Sequence, residues 1–207
     1  GGGGAETGPG AGSAAAGAAG VAATAVGPRP AEPAGTGDTA GPDALVGLDE
    51  LYRGGAPLAA MIDAVGDRLG GVERRIAASV LSLGHAARLW SVALGCWATS
   101  GVVPDLDPGR MRIHPVPQQP VRLVLVDPAG RRAPAGQAAP LLLRAVARGH
   151  LAPYFAALRA QARLPAGLLW GNAASALVGS ARMLLAGPPG PGDRHPAVAA
   201  DAVLRGA

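Results

Sequence analysis

In a chain of 207 residues that carries 20 prolines, residues 72 to 99 run without one. No other feature narrows the fold as much. Proline breaks helix interiors, so a long apolar run free of it reads as a single long helix. At about 100° per residue, Val72, Ile76, Leu83, Ala87, Trp90, Leu94 and Trp97 fall on one face. Arg74, His85 and Arg88 lie roughly opposite. Beyond Arg88 the segment is apolar nearly all round, which places its second half at the centre of a core. Gly101-Val102-Val103-Pro104 ends it.

The material available to build around that helix is limited. Alanine, glycine and proline make 100 of the 207 residues, so the 49% hydrophobic share is mostly alanine. The larger apolar residues that remain suffice for one domain but not two. Residues 1 to 44 hold only Val21 and Val26 as larger aliphatics, and 32 of the 44 are Gly, Ala or Pro. Such a segment buries too little apolar area to offset its ordering entropy, and is expected to be a disordered tail. It lacks the basic start and continuous apolar stretch of a secretory signal. Its opening Gly-Gly-Gly-Gly without methionine reads as a fragmentary or processed chain. The domain is expected over 45–207.

Within it, Pro57 suits the first turn of a helix. Leu58, Met61, Ile62, Val65 and Leu69 then follow on one side, closed by Gly70-Gly71. Met111–Val116 and Val121–Val126 read as a small β-hairpin, with Asp127-Pro128-Ala129-Gly130 as a turn. Helices are expected at about 139–149, 150–162 and 165–185, and a last short one at about 196–205. The predicted class is therefore mainly α with one small β-hairpin, a single domain behind a tail. Leu168–Ala186 is long enough to cross a membrane. However, it carries Asn172 and Arg182 on one face and is rich in Ala and Gly, so a buried core helix is the better reading.

The formal charge of +4 is spread along the chain, and its basic residues, all arginine, are not interleaved with aromatics, so no nucleic-acid interface is read. Cys96 is the only cysteine. That excludes an intrachain disulfide, and also a metal cluster held by four thiolates of this chain alone.

Three strings then stand out: Ala87-Arg88-Leu89-Trp90-Ser91, Gly101-Val102-Val103-Pro104-Asp105 and Leu169-Trp170-Gly171-Asn172-Ala173-Ala174-Ser175. In that order and spacing the chain resembles the FhuF-type ferric-siderophore reductases of GC-rich bacteria. That family is related to the C-terminal domain of IucA/IucC-like siderophore synthetases. The resemblance covers most of 55–205. It implies a cytoplasmic iron-acquisition protein that meets ferric siderophores, and a reductant protein as a further partner. Family reductases end with a Cys-Cys pair and then Cys-x-x-Cys, which hold a [2Fe–2S] cluster. This chain stops at Ala207, where that tail is expected to begin, and no cluster ligand carries over to it. As written, the expectation is siderophore binding at most, with the oxidoreductase activity of the family absent. Two alternatives stand beside it: a non-redox domain binding a siderophore or its precursor, and a degenerate fragment.

The candidate ligand-binding residues are His85, Arg88, Trp170, Asn172, Ser175 and Arg182. Asn172, Ser175, Gly179 and Arg182 share one helix face, a polar wall suited to an oxygen-rich chelate, with Arg182 as a forked donor. The structural alternative is a solvated face, with the asparagine tying down a neighbour. His85 and Arg88 lie one turn apart and suit an acidic ligand group. Otherwise His85 is a hydrogen-bonded core histidine and Arg88 pairs with a carboxylate. The four histidines show no metal-ligand spacing. Cys96 is expected to be a small buried hydrophobe. Arg74-Arg75 reads as a solvated helix start.

Overall fold

Arg74–Ser100 forms one helix of 27 residues, the longest element of the fold. The computed structural model describes residues 45–114 and 122–186. The predicted tail, the tip of the predicted hairpin and the predicted helix at about 196–205 lie outside the described residues. In chain order the elements are β1 (Val46–Gly47), α1 (Leu48–Tyr52), α2 (Ala56–Arg68), α3 (Arg74–Ser100), β2 (Val102–Pro104), β3 (Met111–His114), β4 (Arg122–Leu125), β5 (Gly130–Arg132), α4 (Ala135–Leu143), α5 (Ala152–Ala162) and α6 (Ala166–Ala186). The class is mainly α with short antiparallel strands.

In α2, Pro57 sits in the first turn, and Leu58, Met61, Ile62 and Val65 are buried as their spacing requires. Gly70 and Gly71 follow with φ of 82° and 80°, the left-handed backbone that turns the chain back into α3.

The face assigned to α3 needs correction. Trp90, Leu94 and Trp97 are buried as expected, but Ile76 and Leu83 on the same face are 48% and 40% exposed. In the first half it is Ala77, Ala78, Leu81, Ser82 and His85 that face inward. The buried side rotates along the helix because its two halves meet different partners. The first half packs on α2, while the C-terminal end meets β2. There Trp97 Nε1 donates to the Ala133 carbonyl at 2.9 Å. The same rotation turns Cys96 outward, so it is exposed and not buried.

The predicted hairpin forms between β3 and β4, with Met111 opposite Leu125, and β1 adds a third antiparallel strand to it. A second ribbon, β2 with β5, has no counterpart in the prediction. A Cβ on Gly130 would lie 2.8 Å from the Val103 carbonyl oxygen, so the approach of these strands requires glycine.

The helix expected from about 139 starts earlier, at Ala135, and runs through Pro140. It continues through a π-helical stretch, Arg144–Leu151, into α5. Pro153 has no N–H to give, and the ladder is re-spaced in the turns before it. Finally, α6 packs along α3. Asn172 meets Ser79 and Ser82, and Ser180 meets Ser91, so the two helices run parallel. Among the described helices, α3 alone is long and apolar enough by length and composition to cross a membrane, and half of the relevant window is buried in the fold.

Candidate functional site

The most polar part of the interior is a row of rings from α1, α3 and the π-helical stretch. The Tyr52 hydroxyl lies 2.8 Å from His85 Nε2 and 2.7 Å from His150 Nδ1. His150 Nε2 in turn bonds the Leu106 carbonyl. That carbonyl can only accept, and with both imidazoles kept neutral by burial this places every proton in the row. His150 carries its proton on Nε2 and accepts at Nδ1, so Tyr52 donates there. The hydroxyl has no second proton, so His85 donates to it from Nε2. Burial lowers the pKa of His85 to about 3, helped by the nearby His150 and Arg88. Burial also lowers that of His150, against the opposing pull of the Leu106 carbonyl and Asp107. The Tyr52 and Tyr154 hydroxyls are held well above the usual phenol range by burial. The Tyr154 ring lies tilted against His85, ring centres 4.4 Å apart, and its hydroxyl has no partner among the described groups.

This row absorbs His85, which is therefore a core histidine and not a ligand donor to solvent. Arg88 donates to the Gly84 carbonyl at 3.1 Å and, among the described residues, pairs with no carboxylate. Its pKa is lowered by burial and then by Arg68. Asn172 spends its amide on α3, donating to the Ser79 carbonyl at 3.1 Å and the Ser82 hydroxyl at 2.9 Å. Trp170 stands edge-on to Phe155, ring centres 5.1 Å apart, while Ser175 and Arg182 are exposed. The six residues do not converge. His85 and Asn172 hold the fold together, and the accessible side chains are spread along α3 and α6.

Concave surface lies elsewhere, where α3 begins. Arg75, Ile76, Ser79, Val80, Leu164 and Leu168 line a depression of about 270 Å³ between α3 and α6. Glu73, Arg74, Arg75, Gln161 and Arg163 line a second of about 380 Å³, beside the end of α5. Sequence reasoning missed this region because Arg75 and Arg163 come together only in the fold.

The resemblance implies a [2Fe–2S] cluster, and the donors present do not fit one. Cys96 is the single cysteine, and partial burial raises its thiol pKa above the ordinary value. Among the described residues no three His, Cys, Asp or Glu side chains converge. Four thiolates are required, so no electron-transfer step is assigned to this chain's side chains. No protein-family model matches the chain, and neither does any curated protein or solved structure.

Proposed function

We propose that this chain is a recognition body for ferric siderophores, resembling the FhuF-type reductases in the cytoplasm and binding an oxygen-rich ferric chelate. The observation that carries the reading is the α3–α6 pair. The string at 87–91 lies on α3 and the string at 169–175 lies on α6, and these helices pack in parallel, cross-linked by Asn172 and by the Ser91–Ser180 contact at 3.2 Å. The string at 101–105 follows directly as β2. The string at 169–175, more than 60 residues beyond the other two, thus belongs to one structural unit with them, and the N-terminal end of that unit carries the concave surface described above. A single thiol favours binding over electron transfer as this chain's own contribution.

Equilibrium dialysis of the full chain tests the reading. The probes are a ferric trihydroxamate and a ferric tricatecholate chelate, each also in its iron-free form. Retention is read by the iron charge-transfer absorbance and by tryptophan quenching. Trp170 is the reporter, being 43% exposed while Trp90 and Trp97 are buried. Saturable retention of a ferric chelate at one per chain supports the reading, and retention of none removes it. Equal affinity for ferric and iron-free forms would instead favour a non-redox relative of the synthetase C-terminal domain.

A further inference from the structure

The two depressions at the start of α3 form one feature, because Arg75 belongs to both. One half is cationic and the other apolar. Three arginines line the cationic half against a single carboxylate, Glu73. Arg74 is already engaged, ion-paired with Asp63 and within 3.4 Å of Gln161 Oε1. Arg75 and Arg163 have no acidic partner among the described residues. Arg163 also ends α5 with a φ of 51°, a left-handed backbone normally left to glycine or asparagine. The N-terminus of the 27-residue α3 lies at the same place and adds the positive end of its dipole. In the apolar half, Ile76 and Val80 are left 48% and 45% exposed, facing Leu164 and Leu168 across the trough.

Exposed apolar side chains beside unpaired guanidiniums fit a ligand with the matching division. We propose that this trough binds ferric chelates of net negative charge, of the catecholate or carboxylate class. The charged oxygen core lies against Arg75 and Arg163, and the aliphatic arms lie along Ile76, Val80, Leu164 and Leu168. The proposal rests on the siderophore reading above and adds to it a place and a charge. The cationic half, about 380 Å³, lies within the usual range of small-ligand sites, and the apolar half adds about 270 Å³ beside it. A neutral chelate would leave both guanidiniums without a partner, and a second copy of this basic chain would set arginine against arginine.

The test compares the trianionic ferric tricatecholate with the neutral ferric trihydroxamate on the full chain. The anionic chelate binds about tenfold tighter or better at low salt, and the gap narrows as salt rises. Arg75→Gln and Arg163→Gln each weaken the anionic chelate about tenfold and change the neutral one less than about twofold. Arg131→Gln, which removes the same charge from the exposed strand β5, changes neither. Val80→Glu weakens both chelates. All four sites are exposed, and unchanged melting midpoints establish that the variants fold. Equal affinity for the two chelates, or arginine variants that bind the tricatecholate like the parent, overturns the proposal while leaving the siderophore reading intact. Binding of neither chelate overturns both.

Discussion

The Tyr52 hydroxyl donates to Nδ1 of His150 at 2.7 Å, across 98 residues of sequence. That bond joins α1 to the π-helical stretch, and through His85 it reaches α3 as well. Three elements are thus registered by one phenol hydroxyl, at the cost of keeping two imidazoles uncharged in the interior.

Stability should therefore depend on pH in a definite direction. The folded-state pKa of His85 lies near 3, below its unfolded value of 6.5, and that of His150 is lowered too. Above pH 6.5 both imidazoles are neutral folded or unfolded, and the row carries no penalty. As pH falls below 6.5, the unfolded chain takes up protons that the folded chain refuses. His85 alone then removes about 1.4 kcal/mol per pH unit until its folded pKa is approached. Denaturant unfolding at pH 7.5, 6 and 5 measures the slope, and His85→Gln should flatten it. A profile level from pH 7 to 5 would contradict neutral, buried histidines.

Tyr52→Phe keeps the ring and removes the hydroxyl that bridges the two imidazoles, donor to His150 and acceptor from His85. A buried donor on His85 and a buried acceptor on His150 are left unmatched, so the expected loss is about 2–4 kcal/mol. Urea unfolding at pH 7.5 checks it. A loss below about 0.5 kcal/mol would mean the phenol is not the centre of the row.

Asn172 acts as a donor toward the Ser79 carbonyl and the hydroxyls of Ser79 and Ser82. Asn172→Ala should cost about 1–3 kcal/mol. Asn172→Asp should cost more at pH 7, because a carboxylate brings no proton and sets its charge against a carbonyl oxygen. The order of the two midpoints decides the matter: aspartate tolerated better than alanine would rule out the donor role.

The rotation of the buried side of α3 predicts opposite outcomes for two leucines six residues apart. Leu83→Gln changes stability by no more than about 0.5 kcal/mol, since Leu83 is exposed. Leu89→Ala costs about 2–5 kcal/mol, since Leu89 has no exposed surface. The same rotation makes Cys96 titratable by a thiol reagent in the native protein, more slowly than a free thiol at pH 7 because its pKa is raised.

These residues also mark where sequence ceased to be informative. Helices α2, α3 and α6 and the β3–β4 hairpin were legible because period and punctuation agree there: Pro57 and Gly70-Gly71 bracket one apolar stripe, and Gly101 stops another. The burial of α3 was not. His85 and Cys96 are eleven residues apart and so nearly eclipsed on the helix, about 20° apart, yet one is buried and the other exposed. A helical wheel assumes one environment for the whole helix, and α3 has two. The β2–β5 ribbon was hidden because three-residue strands carry no period. The histidine row and the arginine trough are assembled from residues 33 to 98 positions apart, so no local spacing announces them. Of the candidate ligand residues, His85 and Asn172 were detected as unusual for a sound reason, but the fold uses them as internal fasteners.

The parallel packing of α3 on α6 has a consequence for synthesis. Parallel helices cannot close as a hairpin, so the Ser79 and Ser82 side of α3 must wait for Asn172, roughly 70 residues beyond the end of α3. At about 5–20 residues per second, a ribosome holds that side of the helix without its final partner for several seconds. Pairing across such a separation also closes a large loop, so α3–α6 docking belongs late in folding. Substitutions that weaken the Asn172 contacts should therefore lower soluble yield more than their equilibrium cost alone would indicate.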